Sequence, residues 1–450
     1  MISVAVLLAF FALFAMMILG NKNQSYPWIL ASVILFPQCV SFTQSPQISP
    51  QQAFLYGFFG LAVLRNSSAL VDGVIKHPLR IPLFLLMMSL AGTAVLNGDG
   101  SKGLYNAFRY FMESYAYLIV AYMGGLYFKE IKIEEKWFYP VAVICVLGVI
   151  EFVLRTNYIF PLICKAFPNY DGFYDLNSAV SASRSYRNRI FVTTIHPSAF
   201  GCMMSCALMM FTCCMKRIPW PRNKVWFVWG ALFLLVCLSG SRTALACSLL
   251  GLLLFFLGKV NVKIKFLAVV VLAFAVANFA HKFVEEFSVE GQGSSISMRQ
   301  EQLLFSYVHF MNSPIYGNGV RYTSKTVMER DAYNDRVTDK EIGGLESVIF
   351  FQLIDYGLCG ISSYFLLFLF AFFYFFRRRR FDYGQGGMLV TVVFFVSACM
   401  SGEIGGNNVF AYMLMGYCMG ACRVEEDDEM REESLSGESQ KITEEEAVSE

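Results

Sequence analysis

The residues of this chain that could do chemistry are mostly arginines, gathered in four short stretches. Arg184, Arg187 and Arg189 precede the apolar run IFVTTIHPSAFG, in which His196 follows Arg189 by seven residues. Arg242 interrupts two apolar runs in LSGSRTAL. Arg299 opens, and Arg321 closes, the segment SMRQEQLLFSYVHFMNSPIYGNGVRY. Glu346 and Asp355 lie in GGLESVIFFQLIDYG. A guanidinium is permanently charged and grips phosphate or carboxylate in a two-pronged fork, so the arginines suit anion recognition. A carboxylate at the edge of an apolar run suits general-base work, because burial raises its pKa and a nearby arginine lowers it. Each has a plainer reading. Arginines near span ends also anchor at the membrane interface, His196 beside Pro197 suits a structural hydrogen bond, and Glu346 could pair with Arg242 or Arg299. Arg242 weighs more towards function: no acid lies near it in sequence, which leaves a distant carboxylate or a bound anion as its partner.

The elements that must hold these residues are membrane spans. Of 450 residues, 56% are hydrophobic and only 16% charged, where a soluble chain carries about 25% charged residues. Mean hydropathy is +0.50. Apolar runs of bilayer length recur at 2–20, 27–43, 52–65, 79–97, 106–128, 137–154, 190–215, 223–239, 243–258, 262–280, 347–376, 386–402 and 407–422. They are continuously apolar rather than alternating, which indicates helices and not a barrel. The expected fold is all-α, a polytopic transmembrane bundle of about 12–14 spans, with a large extracytoplasmic loop between late spans. The first run lacks a basic leader and a small-residue cleavage pattern, and reads as a retained span.

Lysine and arginine set the orientation. Basic residues crowd the linkers around 65–80, 129–136, 216–224, 259–265 and 377–380, and with these spans all five linkers fall on one side, the cytoplasm. The opposite side receives the SGSR turn, a loop at 155–190 and a larger loop at 281–346, so the arginine stretches face outwards together. The expected organisation is spans over 1–154, the first outer loop, middle spans over 191–280, the second outer loop, spans over 347–422 and an acidic tail over 423–450. The tail holds 12 acidic and 3 basic residues, −9 in all, so the remainder carries +11 of the net +2. Such a tail reads as disordered.

Other chemistry finds no support. The 13 cysteines form no CxxC pair in a polar loop, so neither a disulfide framework nor a metal site is expected, and no cofactor. No Walker or Rossmann fingerprint is present, and nothing points to nucleic acid. Within the large loop, Leu303, Leu304, Tyr307 and Phe310 fit a helix lying on the membrane surface, ended by the SPIYGNG turn.

Taken in order, four stretches resemble the O-antigen ligase/polymerase superfamily of bacterial envelope membrane proteins. Arg189 followed by His196-Pro197 resembles the family's arginine-to-proline approach to a middle span, and Ser241-Arg242-Thr243 resembles its SR motif. Arg299 with SPIYGNG, and ESVIFFQLIDYGLCG, resemble its two closing motifs. The resemblance implies a glycan on undecaprenyl pyrophosphate as substrate, at the outer face of the bacterial inner membrane. Arg242 and Arg299 would hold the pyrophosphate, and Arg184, Arg187, Arg189, His196 and Arg321 would add binding contacts. Ligases of the family carry a histidine where Glu346 stands here, which leans the expectation towards a polymerase with Glu346 as base, working beside a flippase and a chain-length regulator. A ligase is the nearest alternative. A lipid-linked oligosaccharide flippase is the rival from another class, for which Arg109, Glu113 and Glu151 inside the runs are the residues to watch.

Overall fold

The computed structural model describes residues 10–12, 14–15, 19, 32–36, 40–42, 48–65, 71, 73–98, 100–127, 138–167, 169–170, 189–258, 295–323, 345, 347–403 and 406–449. Almost everything described is helical, as the apolar runs require. One short antiparallel pair joins Val40–Ser41 (β1) to Asn169–Tyr170 (β2).

Among the described residues, three helices are both long and apolar enough to cross a membrane. They are Pro197–Cys214 (α7), Val348–Arg377 (α11) and Asp382–Ser401 (α12). A fourth candidate is a bent pair, in which Phe138–Leu154 (α5) meets Ile159–Ala166 (α6) at 116°. Shorter apolar helices include Arg80–Leu96 (α2) and Arg242–Gly258 (α9). The expected span at 262–280, and most of those at 2–20 and 27–43, fall outside the described residues.

α7 sits at the centre, almost wholly buried, with Arg222–Leu238 (α8), α9 and α12 packed round it. Asn407–Ser449 (α13) packs on α12 and α7 and lies along Ala116–Tyr127 (α4). That last contact is backbone to backbone: a Cβ at Gly416 would lie 2.3 Å from the Leu118 carbonyl, and one at Gly420 would lie 2.3 Å from the Tyr122 carbonyl. Small residues at helix crossings are how membrane helices gain dispersion contact where lipid offers no hydrophobic driving force.

Three expectations change. The run at 106–128 is two helices, not one span: Gly100–Ser114 (α3) buries Gly103, Ala107, Phe111 and Ser114 on one stripe, and the chain breaks at Tyr115 before α4. Charged Lys102, Arg109 and Glu113 make α3 unsuited to crossing lipid. The run at 190–215 becomes helical only at Pro197.

The third change is the acidic tail, expected to be disordered, which continues α13 as helix to Ser449. The apolar first part of α13 supplies the helix nucleus, and extending a helix costs far less than starting one. Its first carboxylates also meet cations. Arg378 pairs with Glu426 at 2.7 Å, Arg380 with Glu429 at 2.5 Å, and Arg217 with both Glu425 and, at 2.8 Å, Asp382. Burial opposes the charge of Arg217, yet these carboxylates hold its pKa above the ordinary arginine value. The tail therefore shares one face with the 216–224 and 377–380 basic linkers, and the SGSR turn lies at the other end of α8 and α9.

Candidate active site

The SGSR turn is built as a two-sided cap. Ser239 ends α8, with its Oγ donating to the Val236 carbonyl (2.7 Å) and accepting from the Ser241 amide (3.2 Å). Gly240 takes the left-handed conformation at φ +61°, the usual device for ending a helix. Ser241 Oγ then accepts from the Ala244 amide at 3.3 Å, capping α9. Arg242 becomes the first residue of α9 and stands exposed. A cation there opposes the helix dipole, so helix stability does not explain it. Together with the amides of the first turn it makes a place where an anion is favoured.

Arg189 arrives at the same turn from elsewhere. Its Nε donates to the Ser239 carbonyl at 3.3 Å, and a Cβ on Gly240 would lie 2.9 Å from its Cγ. The segment that carries it is pinned by the Ile190 amide on the Leu238 carbonyl (3.2 Å). Glu151 on α5 is the principal anchor: buried, it accepts from the Phe191 (3.2 Å) and Val192 (2.8 Å) amides. Asn157 donates to the Val192 carbonyl at 2.8 Å, where Val192 holds φ +48°. Glu151 is thus the acceptor for two buried amides, and not a deep transport charge. His196 caps α7 through Nδ1, which accepts from the Ser198 amide at 3.1 Å, while its ring stays exposed. α7 passes close beneath the turn, since a Cβ at Gly201 would lie 2.7 Å from that of Ala244.

The two closing stretches interlock. α11 breaks at Gly357 (φ 63°, ψ −157°), which frees backbone groups that a continuous helix would have used. SPIYGNG takes them. The Asn318 and Gly319 amides donate to the Ile354 and Asp355 carbonyls at 3.0 and 3.2 Å, and the Leu358 and Cys359 amides donate to the Pro314 and Ile315 carbonyls at 2.8 and 3.0 Å. The backbones are too close for side chains: a Cβ at Gly317 would lie 2.2 Å from the Asp355 carbonyl oxygen. Asp355 is buried and spent on this turn, accepting from the Thr323 amide at 2.7 Å and from its hydroxyl.

Arg321 follows the turn in the left-handed region, φ +57°. Its Nη2 pairs with Glu113 of α3, whose other oxygen takes Arg109 Nε at 2.5 Å. The Arg321 guanidinium lies 5.6 Å from the Tyr110 ring, which stacks on Tyr356 at 5.8 Å. Burial works against the charge on Arg321, but Glu113, Tyr356 and Tyr110 leave its pKa raised.

Ser295–Asn312 (α10) lies beside this interlock with its polarity inverted. Gln302, Ser306 and His309 are buried, while Leu303, Leu304, Tyr307, Val308 and Met311 are all more than half exposed. An apolar stripe turned away from the protein suits a helix lying in the membrane interface. Phe310, expected on that stripe, sits at its edge, half-buried. His309 is a residue that sequence reasoning passed over. Its ring contacts Phe305 (4.3 Å between centroids), and Nδ1 meets the Tyr322 hydroxyl at 3.3 Å. Its place seven residues after Gln302 on a helix whose outer stripe was recognised could have revealed it.

Of the expected site residues, the fold joins Arg189 to the Arg242 turn and Arg321 to the closing motifs. Arg299 lies in the first turns of α10, its side chain outside the described residues, as are Arg184, Arg187 and Glu346 altogether. The residues flanking Glu346 are buried: Ser347 caps α11 by accepting from the Ile349 amide (3.2 Å) and donates to the Cys399 carbonyl (2.7 Å).

Residues 226–365 match the family described as O-antigen ligase, a segment that runs from α8 through the SGSR turn, α10 and SPIYGNG to just beyond the Gly357 break. Over that segment the chain is similar to the O-antigen ligase/polymerase superfamily, as its four motif stretches led one to expect. Its general activity follows, that of a membrane glycosyltransferase of the ligase or polymerase type, carried by a multi-pass helical membrane protein. The matched segment covers the SGSR turn and both closing motifs, and leaves Arg189, His196, Glu151 and Glu113 outside it. No match is found among curated proteins.

Proposed function

We propose that the protein is a polymerase of lipid-pyrophosphate-linked glycan repeat units. The observation that carries this reading is Arg189 seated on the SGSR turn beside Arg242 at the start of α9. Two guanidinium-bearing stretches and a helix N-terminus converge there, which suits a pyrophosphate better than a neutral sugar. A sugar hydroxyl of the next repeat unit attacks the anomeric carbon of the growing glycan. The bond from that carbon to the phosphate oxygen breaks, the hydroxyl proton passes to Glu346, and the undecaprenyl pyrophosphate departs. Arg242, Arg299 and Arg189 stabilise the charge that develops on the leaving group. Arg184, Arg187, His196 and Arg321 add contacts to the donor.

In this reading the SGSR turn and the interlock face outwards from the bacterial inner membrane, and the tail lies in the cytoplasm with the basic linkers. A flippase delivers the substrate and a chain-length regulator acts alongside. A glutamate where ligases of the superfamily carry a histidine favours a polymerase, while the ligase description of the matched family keeps transfer to another acceptor as the second reading. Glycan length in a deletion strain separates the two. Single-repeat products mark a lost polymerase, and undecorated lipid core with intact long chains marks a lost ligase. Long chains unchanged by either Arg242→Ala or Glu346→Gln, at normal protein levels, would overturn the mechanism.

A further inference from the structure

Arg321 is held in an unusual way. A non-glycine residue with φ near +57° is strained, and such conformations persist only where the surroundings over-determine them. Three contacts hold the turn that leads to Arg321 and its side chain, and all come from residues before 226, outside the matched segment. Thr93 Oγ1 on α2 donates to the Tyr316 carbonyl at 2.6 Å, and Asn97 Nδ2 donates to the Gly317 carbonyl at 3.1 Å. Glu113 on α3 takes Nη2 of Arg321 directly.

We propose that Glu113 is a positioning residue, which holds the Arg321 guanidinium so that its other edge meets an anionic group of the glycan donor. This rests on the reading of Arg321 as a donor contact. A guanidinium has five N–H donors in a rigid plane, and Glu113 occupies only Nη2. The side chain is still 43% exposed, so one edge remains open to a ligand. The Tyr110 face beside it restricts rotation, and Arg109 on the second Glu113 oxygen fixes the carboxylate in turn. The cation is therefore preorganised, and an arginine that need not lose side-chain freedom on binding holds an anion more tightly.

The alternative is that the Glu113–Arg321 pair only ties α3 to the SPIYGNG turn. Steady-state kinetics of the full-length purified protein on a lipid-pyrophosphate-linked repeat unit separate the two. Glu113→Gln is expected to raise the donor KM roughly tenfold, as loss of a charge-assisted contact does, with a smaller change in kcat. Glu113→Asp should recover part of that loss. In an Arg321→Ala background, Glu113→Gln should cost nothing further, because the residue through which it acts is gone. The thermal midpoint in detergent, measured on each variant, reads the tie between elements.

A midpoint that falls for Glu113→Gln while KM stays unchanged overturns the proposal, as does a Glu113→Gln penalty undiminished in the Arg321→Ala background. If Glu113→Gln does not fold, Glu113→Asp and Arg321→Lys carry the same comparison. Should Arg321→Ala leave both KM and kcat intact, the failure lies with Arg321 as a donor contact and this inference falls with it. Arg242→Ala in the same assay then shows whether the wider reading survives.

Discussion

The SGSR turn and the SPIYGNG interlock solve the same problem in opposite ways. Each places an arginine at a glycine turn beside a helix end. At the SGSR turn Ser239 and Ser241 cap the backbone within one hairpin, with Arg189 and Ile190 adding donors from outside it, and Arg242 projects at the exposed first turn of α9. At the interlock the backbone is satisfied largely by a segment far along the sequence, and Arg321 arrives with a carboxylate already attached. The difference teaches that residue type alone does not assign a role. The arginine of the SGSR turn is placed by the helix it begins, whereas the arginine of the interlock is also tied to a helix far away in sequence.

The largest effect should come from breaking the interlock itself. Gly317→Ala places a methyl against the Asp355 carbonyl at a positive φ, and strain plus overpacking should cost about 3–5 kcal/mol, read as loss of folded protein on size-exclusion chromatography. Next is Arg242→Ala, which should reduce glycan transfer about 10²–10³-fold while the thermal midpoint stays within a degree or two, as removal of one charge-stabilising donor does elsewhere. A large drop in the midpoint would remove the contrast with Arg321. Glu151→Ala sharpens the comparison from a distance. Two buried amides, of Phe191 and Val192, lose their acceptor, at about 1–3 kcal/mol each, and Arg189 should leave the SGSR turn, lowering activity along with stability. Glu151→Gln keeps one acceptor oxygen and should recover part of both.

Smaller still is Gly240→Ala, with φ +61° and the Arg189 side chain adjacent, expected at about 1–2 kcal/mol because a side chain can shift where a carbonyl cannot. The smallest effect belongs to the opposite face. Glu426→Gln removes a partly buried partner of Arg378, worth about 1 kcal/mol, and the loss should shrink as salt is raised in a denaturation series.

The amino-acid sequence by itself determined the all-α membrane class, because only continuous apolar helices satisfy their own backbone in lipid. It also located the SGSR, SPIYGNG and closing stretches, since glycine, proline and serine punctuate the apolar runs wherever the chain turns. It marked the outward stripe of α10, because that face repeats at helical spacing. The tertiary structure decided what each polar group meets. That Glu151 holds the segment after Arg189, that Glu113 holds Arg321, that Asp355 is spent on Thr323, and that the tail carboxylates meet Arg217, Arg378 and Arg380 are all pairings between residues far apart in the chain. Periodicity and composition are local properties. A buried donor or charge can be satisfied by any element that folding brings within about 3 Å, so its partner becomes known only when the helices are packed.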